Sequence, residues 1–256
     1  MNKIIARLGL IALAITLSTS VSAASVNLSF TSGYVGSSSS IQYGYDDGQT
    51  LTVSGLTATN HESRLSGVLR NVNVIQNGSW GLYTQGGTHG ISNQNNPHNN
   101  QNQMLMLDFG QAVSLDSFSL RWAEHNGGSP NYGSVLAYTD EGIFNHQGLR
   151  WGELLDSGFT HAGDVNAYKN MHVGQPVDVQ GGLVSRYWLI GAINPIFGGT
   201  TDSLVDAFKL GGISFTTVDV SEVPLPAAAW LFLTGLAGMA WMKKRKAKQS
   251  SELQVA

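Results

Sequence analysis

The chain has no cysteine, and its central part has few basic residues. Without cysteine, it forms no disulfide, no thiolate metal site and no cysteine nucleophile. Residues 24–222 contain 7 Lys and Arg against 16 Asp and Glu, a net charge of −9. A domain so poor in cations is a weak candidate for binding nucleic acid or anionic lipid, so we expect no nucleic-acid partner. The sequence signatures of serine hydrolases, phosphate-binding loops and zinc proteases are also missing.

The first segment of the chain has the three parts of a secretory signal peptide, at residues 1–23. Two basic residues precede an apolar stretch at 8–17, and Val21, Ser22 and Ala23 supply a small-x-small cleavage site. This pattern predicts passage through the Sec translocon and cleavage by signal peptidase. The mature protein is then expected to begin near Ala24.

A second three-part pattern lies at residues 223–246. Prolines stop regular structure, and the roughly 20 residues that end at Met242 are long enough to cross a hydrocarbon core. A basic cluster after the apolar run at 228–242 is expected to stay on the cytoplasmic side, with 247–256 as a tail. The proline motif is Val223, Pro224, Leu225, Pro226 and Ala227, and the basic cluster is Lys243, Lys244, Arg245 and Lys246.

This order of motif, apolar helix and basic cluster resembles the PEP-CTERM sorting signal of Gram-negative bacteria, in a variant with Leu225 in place of Glu. The resemblance implies that a membrane-embedded exosortase recognises the motif, cuts near it and releases or transfers the upstream domain. It therefore implies an intermediate anchored in the inner membrane and a final location at the cell surface or outside the cell.

Between the two signals, the sequence predicts one all-β domain at 24–217, followed by a short linker at 218–222. Glycine is abundant, and short alternating apolar runs are separated by Gly, Asn, Asp and Ser. We expect a single β-sandwich or jelly-roll-like domain. The predicted strands are 25–30, 50–56, 67–76, 103–109, 117–122, 134–139, 186–192 and 213–220.

Apolar alternation and turn residues predict two hairpins. Alternation at 105–109 resumes at 118–122 after a turn at 110–116, and Asn77 with Gly78 forms a second turn, because both residues tolerate positive φ. We also predict loops at 36–40 and in the Asn/Gln-rich segment 92–103. Short helices are predicted at 148–155 and 203–209.

Segments within residues 81–210 extend the resemblance. Gly81-Leu82-Tyr83 and then His89-Gly-Ile-Ser-Asn93 look like a succession found in exosortase-dependent surface proteins, with Ser92 where Asp is usual. Residues 187–192 and 205–210 look like the closing segments of that family. The resemblance implies a surface or extracellular-matrix protein with a β-sandwich-like domain and no established catalytic residues.

Aromatic residues near predicted turns are candidates for stacking on a sugar ring. They are Trp80, Tyr83 and Trp151, whereas Trp122 and Trp188 have apolar neighbours and are predicted to lie in the core. For glycoside hydrolysis, which needs two carboxylates at a fixed separation, the candidate acids are Glu124, Glu141 and Glu153.

The sequence assigns no metal site beyond a set of calcium candidates, and no other cofactor is expected. The seven histidines fit no metal-binding spacing, and most lie among Gly and Asn in predicted loops. Calcium is a candidate, because carboxylates near turns supply hard oxygen ligands. Asp beside Gly is also ordinary turn chemistry. The calcium candidates are Asp46, Asp47, Asp140, Asp202 and Asp206.

Three function classes follow from these patterns. We expect an exported, exosortase-processed surface or matrix protein with a structural or adhesive role linked to exopolysaccharide or biofilm. Such a protein is a substrate of an exosortase rather than an enzyme. The alternative is a carbohydrate-binding, lectin-like module, and the third hypothesis is an extracellular glycoside hydrolase.

Overall fold

Fourteen strands of the described chain join in one antiparallel sheet. The computed structural model describes residues 23–33, 35–46, 48–58, 67–85, 90–93, 95–96, 99–100, 102–124, 131–167, 174–192, 194–197 and 207–218. They belong to one compact unit, Ala23–Val218. Apart from two 3-10 turns, the regular structure of these residues is β, so the predicted all-β class is confirmed. The jelly-roll-like order of strands stays a prediction.

Sixteen strands are numbered in chain order, and two of them, β9 and β10, pair only with each other. The two 3-10 turns are Trp151–Glu153 and Pro195–Phe197. The strands are β1 (Ser25–Ser29), β2 (Gly36–Ser38), β3 (Ser40–Tyr45), β4 (Gln49–Ala58), β5 (Leu69–Val72), β6 (Val74–Asn77), β7 (Gly81–Thr84), β8 (Ile91–Ser92), β9 (Asn95–Asn96), β10 (Asn99–Asn100), β11 (Gln103–Glu124), β12 (Asn131–Tyr138), β13 (Phe159–Ala167), β14 (Pro176–Asp178), β15 (Val184–Ala192) and β16 (Ala207–Thr217).

The long strand β11 divides the sheet into two halves. Its residues 103–108 lie between β15 and β4, in the order β13, β12, β15, β11, β4, with β3 and β5 along the outer edge of β4. We call this the first half-sheet. Its residues 113–124 pair with β16, which in turn pairs with β1, β7 and β8. This second half-sheet also contains β14, β6 and β2.

The two half-sheets share one hydrophobic core, which we call core 1. Alternate residues of β11, Leu105, Leu107 and Phe109, point into it from the first half-sheet, and residues of β16 enter it from the second. The rings of Phe109 and Phe215 lie 4.7 Å apart between centroids. Because apolar faces of both halves meet in this cluster, the described fold is sandwich-like.

The first half-sheet is buried on its other face as well. Met104 of β11 and Leu189 of β15 point into this second cluster, core 2, where Trp151 and Phe197 of the two 3-10 turns cover them. Burial on both faces explains why β15 reads as a nearly continuous apolar run rather than a clean alternation.

The predicted hairpin at 103–122 is wrong, because β11 continues through the segment as one strand. The chain bends there without reversing. Gly110 has a φ of 72°, and its amide donates to the Asp108 carboxylate at 2.9 Å. The register with β15 shifts between Asp108 and Val113, so the strand leaves one half-sheet and enters the other.

Other local predictions have mixed outcomes. The position of the turn at Asn77 is confirmed, since it joins the antiparallel strands β6 and β7, but the positive φ lies at Gly81 and not at Gly78. The predicted loop at 36–40 is wrong, because 36–38 form β2 against β6 and Ser40 begins β3. The 92–103 segment is not wholly solvated, since Asn102 and Gln103 are buried. Of the predicted helices, 148–155 contains a 3-10 turn, and 207–209 belong to β16.

The signal peptide at 1–23, apart from Ala23, and the whole segment 223–256 lie outside the described residues. Most of the linker, 219–222, lies outside them too. Within the described ranges, no helix is long and apolar enough to span a membrane.

Candidate carbohydrate-binding surface

Three aromatic rings surround the ammonium group of Lys209. The Lys209 Nζ lies 4.6 Å from the ring centroid of Tyr83 and 5.2 Å from the centroids of Trp80 and Trp122. The negative face of an aromatic ring attracts a cation at this range. We call these four residues the lysine–aromatic cluster.

Strand alternation and one bulge place the cluster on the outer face of the second half-sheet. Phe208 and Leu210 of β16 point into core 1, so Lys209 between them points outward. Trp122 of β11 is the Cα partner of Lys209. The register shifts just before Trp122 and leaves Arg121 without a Cα partner on β16.

The turn between β6 and β7 brings Trp80 and Tyr83 to the same face. The Trp80 amide donates to the Asn77 carbonyl at 2.8 Å and closes this turn. Gly81 follows with a φ of 78°, and a Cβ on it would overlap the Leu210 carbonyl oxygen of β16. Only glycine meets both requirements, so Gly81 lets the turn approach β16 closely.

Lys209 is largely buried, with 8% of its surface exposed. Burial lowers the pKa of its ammonium group, because removal from water disfavours the charged form. Among the described residues, no carboxylate lies within 4.0 Å of the Lys209 Nζ. The three ring faces are therefore the described groups that stabilise its charge.

Arg121 supplies a second cation next to the cluster. Its Nε donates to the Ser79 carbonyl at 3.2 Å, and the side chain is exposed. No carboxylate of the described residues lies within 4.0 Å of the Arg121 guanidinium group. Trp80, which follows Ser79, keeps 46% of its surface exposed although Lys209 lies over its ring. Lys209 thus lies over the exposed indole, and Arg121 is hydrogen-bonded to the residue that precedes it.

A shallow groove of about 250 Å³ lies on the same outer face. Residues of β1, β11 and β16 line it, and several of them carry hydroxyl groups: Ser29, Ser117, Ser119 and Ser214. Gly211 also lines this groove, and a Cβ on Gly211 would lie 3.4 Å from the Arg121 Cβ. The groove therefore borders Arg121 and, through it, the lysine–aromatic cluster.

The structure separates the three sugar-binding candidates. Trp80 is exposed and Tyr83 is half-buried, and both belong to the cluster. Trp151 is fully buried in core 2, with its ring 6.2 Å from that of Phe197, so it presents no face to a sugar. Trp188 lies in core 1 as predicted, whereas Trp122 is only partly buried and contacts Lys209 instead.

The described residues contain no group of three or more His, Asp or Glu side chains that could hold a metal ion. Asp46 and Asp140 are exposed, and the other calcium candidates, Asp47, Asp202 and Asp206, lie outside the described residues. Of the histidines, His161 pairs with Asp164, with 2.9 Å between Nε2 and Oδ1. That pair is not joined by a third described ligand.

The three candidate catalytic carboxylates are not brought together by any contact between described side chains. Glu141 is exposed. The Glu153 carboxylate accepts a hydrogen bond from the Arg150 amide at 2.9 Å and caps the 3-10 turn that carries Trp151. The side chain of Glu124 lies outside the described part. Glu153 thus has a local structural role.

Sequence reasoning missed Lys209, Arg121 and the role of Trp122. The sequence did contain one signal: an acidic domain with only 7 basic residues makes each of these residues a candidate for a specific contact.

Comparison with protein-family models, with curated proteins and with solved structures finds no match to this chain.

Proposed function

We propose that this chain is an exported, exosortase-processed surface or matrix protein whose all-β domain acts by adhesion to exopolysaccharide rather than by catalysis. Support for export and processing comes from the signal-like segment at 1–23 and the sorting-like segment at 223–246. Exosortase, the Sec translocon and signal peptidase are its proposed processing partners. An inner-membrane intermediate precedes its release to the surface.

One observation carries the adhesive part of this proposal. An exposed indole, Trp80, lies on the same sheet face as an open groove lined by serine hydroxyls. An aromatic face packs against the apolar side of a sugar ring, and hydroxyls exchange hydrogen bonds with those of the sugar. A shallow groove on a sheet face suits an extended polymer better than a small, enclosed substrate.

The processing step is tested by replacing both prolines of the motif, Pro224→Ala with Pro226→Ala. We expect the double variant to accumulate in the inner membrane, while the unaltered chain reaches the surface or medium. Fractionation followed by immunoblotting measures the distribution. The matched control, Gln249→Ala with Ser250→Ala, changes two residues beyond the basic cluster and should leave export unchanged. Equal distribution of the proline variant and the unaltered chain would overturn exosortase processing.

The adhesive step is tested by retention on exopolysaccharide extracted from the host. Trp80→Ala should reduce retention, because it removes the exposed ring. Ile143→Ala is the matched control: Ile143 is 78% exposed and is not part of the lysine–aromatic cluster or the groove. Equal retention of both variants and the unaltered chain would exclude Trp80 from adhesion. Release of shortened sugars during the assay would instead favour the glycoside hydrolase hypothesis.

A further inference from the structure

Two neighbouring cations, Lys209 and Arg121, have no carboxylate within 4.0 Å among the described residues of this acidic domain. Residues 24–222 carry 16 acidic side chains against 7 basic ones. Arg186, by contrast, forms a bidentate pair with Asp108, at 2.7 and 3.1 Å. Within the described ranges, Lys209 and Arg121 have ring faces and a backbone carbonyl as partners instead. This arrangement leaves a local positive charge around Trp80.

Such a charge acts at short range, where the net charge of the domain has little effect. At physiological ionic strength, interactions between exposed charges are screened beyond about 8 Å. A ligand at Trp80 therefore experiences Lys209 and Arg121 more strongly than any carboxylate that lies beyond this screening distance. Nucleic acid requires a row of cations along its backbone, whereas one carboxylate on a sugar requires only a local donor.

We infer that the surface formed by Trp80, Arg121 and Lys209 selects a polysaccharide whose sugar residues carry carboxylates. This inference rests on the proposed adhesion to exopolysaccharide and names the chemical class of the polymer. Trp80 packs against a sugar ring, and the exposed Arg121 guanidinium donates to the carboxylate. Lys209 is too buried for broad contact, so it acts as a positioning residue that holds the rings and adds to the positive potential.

The groove beside Arg121 favours a sugar polymer over an acidic peptide. Its serine hydroxyls, such as those of Ser119 and Ser214, match the hydroxyls of the next sugar residues along a chain. Glycine at 211 and 212 keeps the groove open, because a Cβ on Gly211 would lie 3.2 Å from the Ser119 Oγ and one on Gly212 would lie 2.6 Å from the Leu28 carbonyl oxygen. The polymer is expected to run from Trp80 across Arg121 into this groove.

Isothermal titration calorimetry with the full chain in a mild detergent tests the inference. The probes are short oligogalacturonate and oligomannuronate, the fully methyl-esterified form of each, and poly-glutamate, at about 150 mM salt. Esterification keeps the sugar and removes its charge. We expect the acidic oligosaccharides to bind about tenfold more tightly than their esters.

Two arginine variants connect that preference to the surface. Arg121→Gln should weaken binding of the acidic probes about fivefold, as expected for loss of a partly exposed ion pair, and should leave ester binding unchanged. Arg70→Gln removes another exposed cation, from β5 in the first half-sheet, and should change nothing. A drop of the same size in both variants would indicate a general charge effect and overturn the assignment.

The remaining outcomes separate the inference from the proposed function. Equal binding of acidic and esterified oligosaccharides would overturn the inference and leave adhesion intact. Failure of the acidic probes to bind would also overturn it, even if host exopolysaccharide is retained through Trp80. If poly-glutamate bound as tightly as the acidic oligosaccharides, the inferred ligand would be an acidic peptide and not a polysaccharide, which overturns the inference. Loss of retention on host exopolysaccharide is the separate result that removes the adhesion proposal.

Discussion

Replacing Trp151 by alanine should unfold the domain much more readily than replacing Trp80. Trp151 is 0% exposed in core 2, and deletion of a fully buried tryptophan side chain costs about 3–5 kcal/mol of unfolding free energy. Trp80 is 46% exposed, so its deletion should cost about half as much, roughly 1.5–2.5 kcal/mol. Urea unfolding followed by circular dichroism measures both losses.

A more conservative variant of Trp151 separates packing from binding. Trp151→Phe keeps an aromatic ring against Phe197 and removes a buried indole Nε1 that has no hydrogen-bond partner in the described structure. It should cost less than about 2 kcal/mol and leave retention on exopolysaccharide unchanged. If Trp151→Ala were no less stable than Trp80→Ala, or if Trp151→Phe abolished retention, the placement of Trp151 in core 2 would be refuted.

Two further predictions concern backbone geometry and alkaline stability. Gly81→Ala should lower the unfolding free energy by about 2–4 kcal/mol, because its Cβ would overlap the Leu210 carbonyl at a positive φ. Gly48 has a φ of 87° and open space around it, so Gly48→Ala should lower it by only about 1–2 kcal/mol. Equal losses in urea unfolding would contradict this prediction. Burial raises the pKa of Tyr45 above its usual 10.0, so the unfolded chain loses this proton first and stability should fall by up to about 1.4 kcal/mol per pH unit above pH 10. Tyr45→Phe should make the decline in urea midpoint from pH 10 to about pH 11 less steep, and an unchanged slope would show that Tyr45 does not contribute.

The strands were predictable where burial follows a local period. The alternation of Leu105, Leu107 and Phe109 indicates a strand with one buried face. Such a period of two can be recognised from a few consecutive residues. The continuation of β11 through Gly110 was not predictable in the same way. Its path depends on partners more than 60 residues away, in β15 and β16. A glycine after an alternating apolar run is typical of a turn as well as of a bend.

The candidate surface was only partly predictable for a related reason. Trp80 and Tyr83 were recognisable as aromatics near a turn, since Asn77 and Gly78 mark that turn locally. Their convergence on Lys209 joins residues separated by more than 120 positions, which no local pattern contains. Burial of Trp151 likewise depends on the distant Phe197.

The acidity of the domain and the cationic surface have compatible roles. A net charge of −9 over 24–222 disfavours indiscriminate binding to polyanions, since it repels them at low ionic strength. Arg121 and Lys209 then confine attraction to the sheet face that also carries Trp80. The adhesion that we propose for that face combines one aromatic contact with one local charge.

The C-terminal mass of the exported protein tests the central claim most directly. The protein is recovered from the surface and medium of host cells, and its intact mass and terminal peptides are determined by mass spectrometry. The account predicts a chain that begins near Ala24, ends near the motif at 223–227 and lacks the basic cluster at 243–246. Recovery of an exported form that still carries residues 243–246 would contradict it.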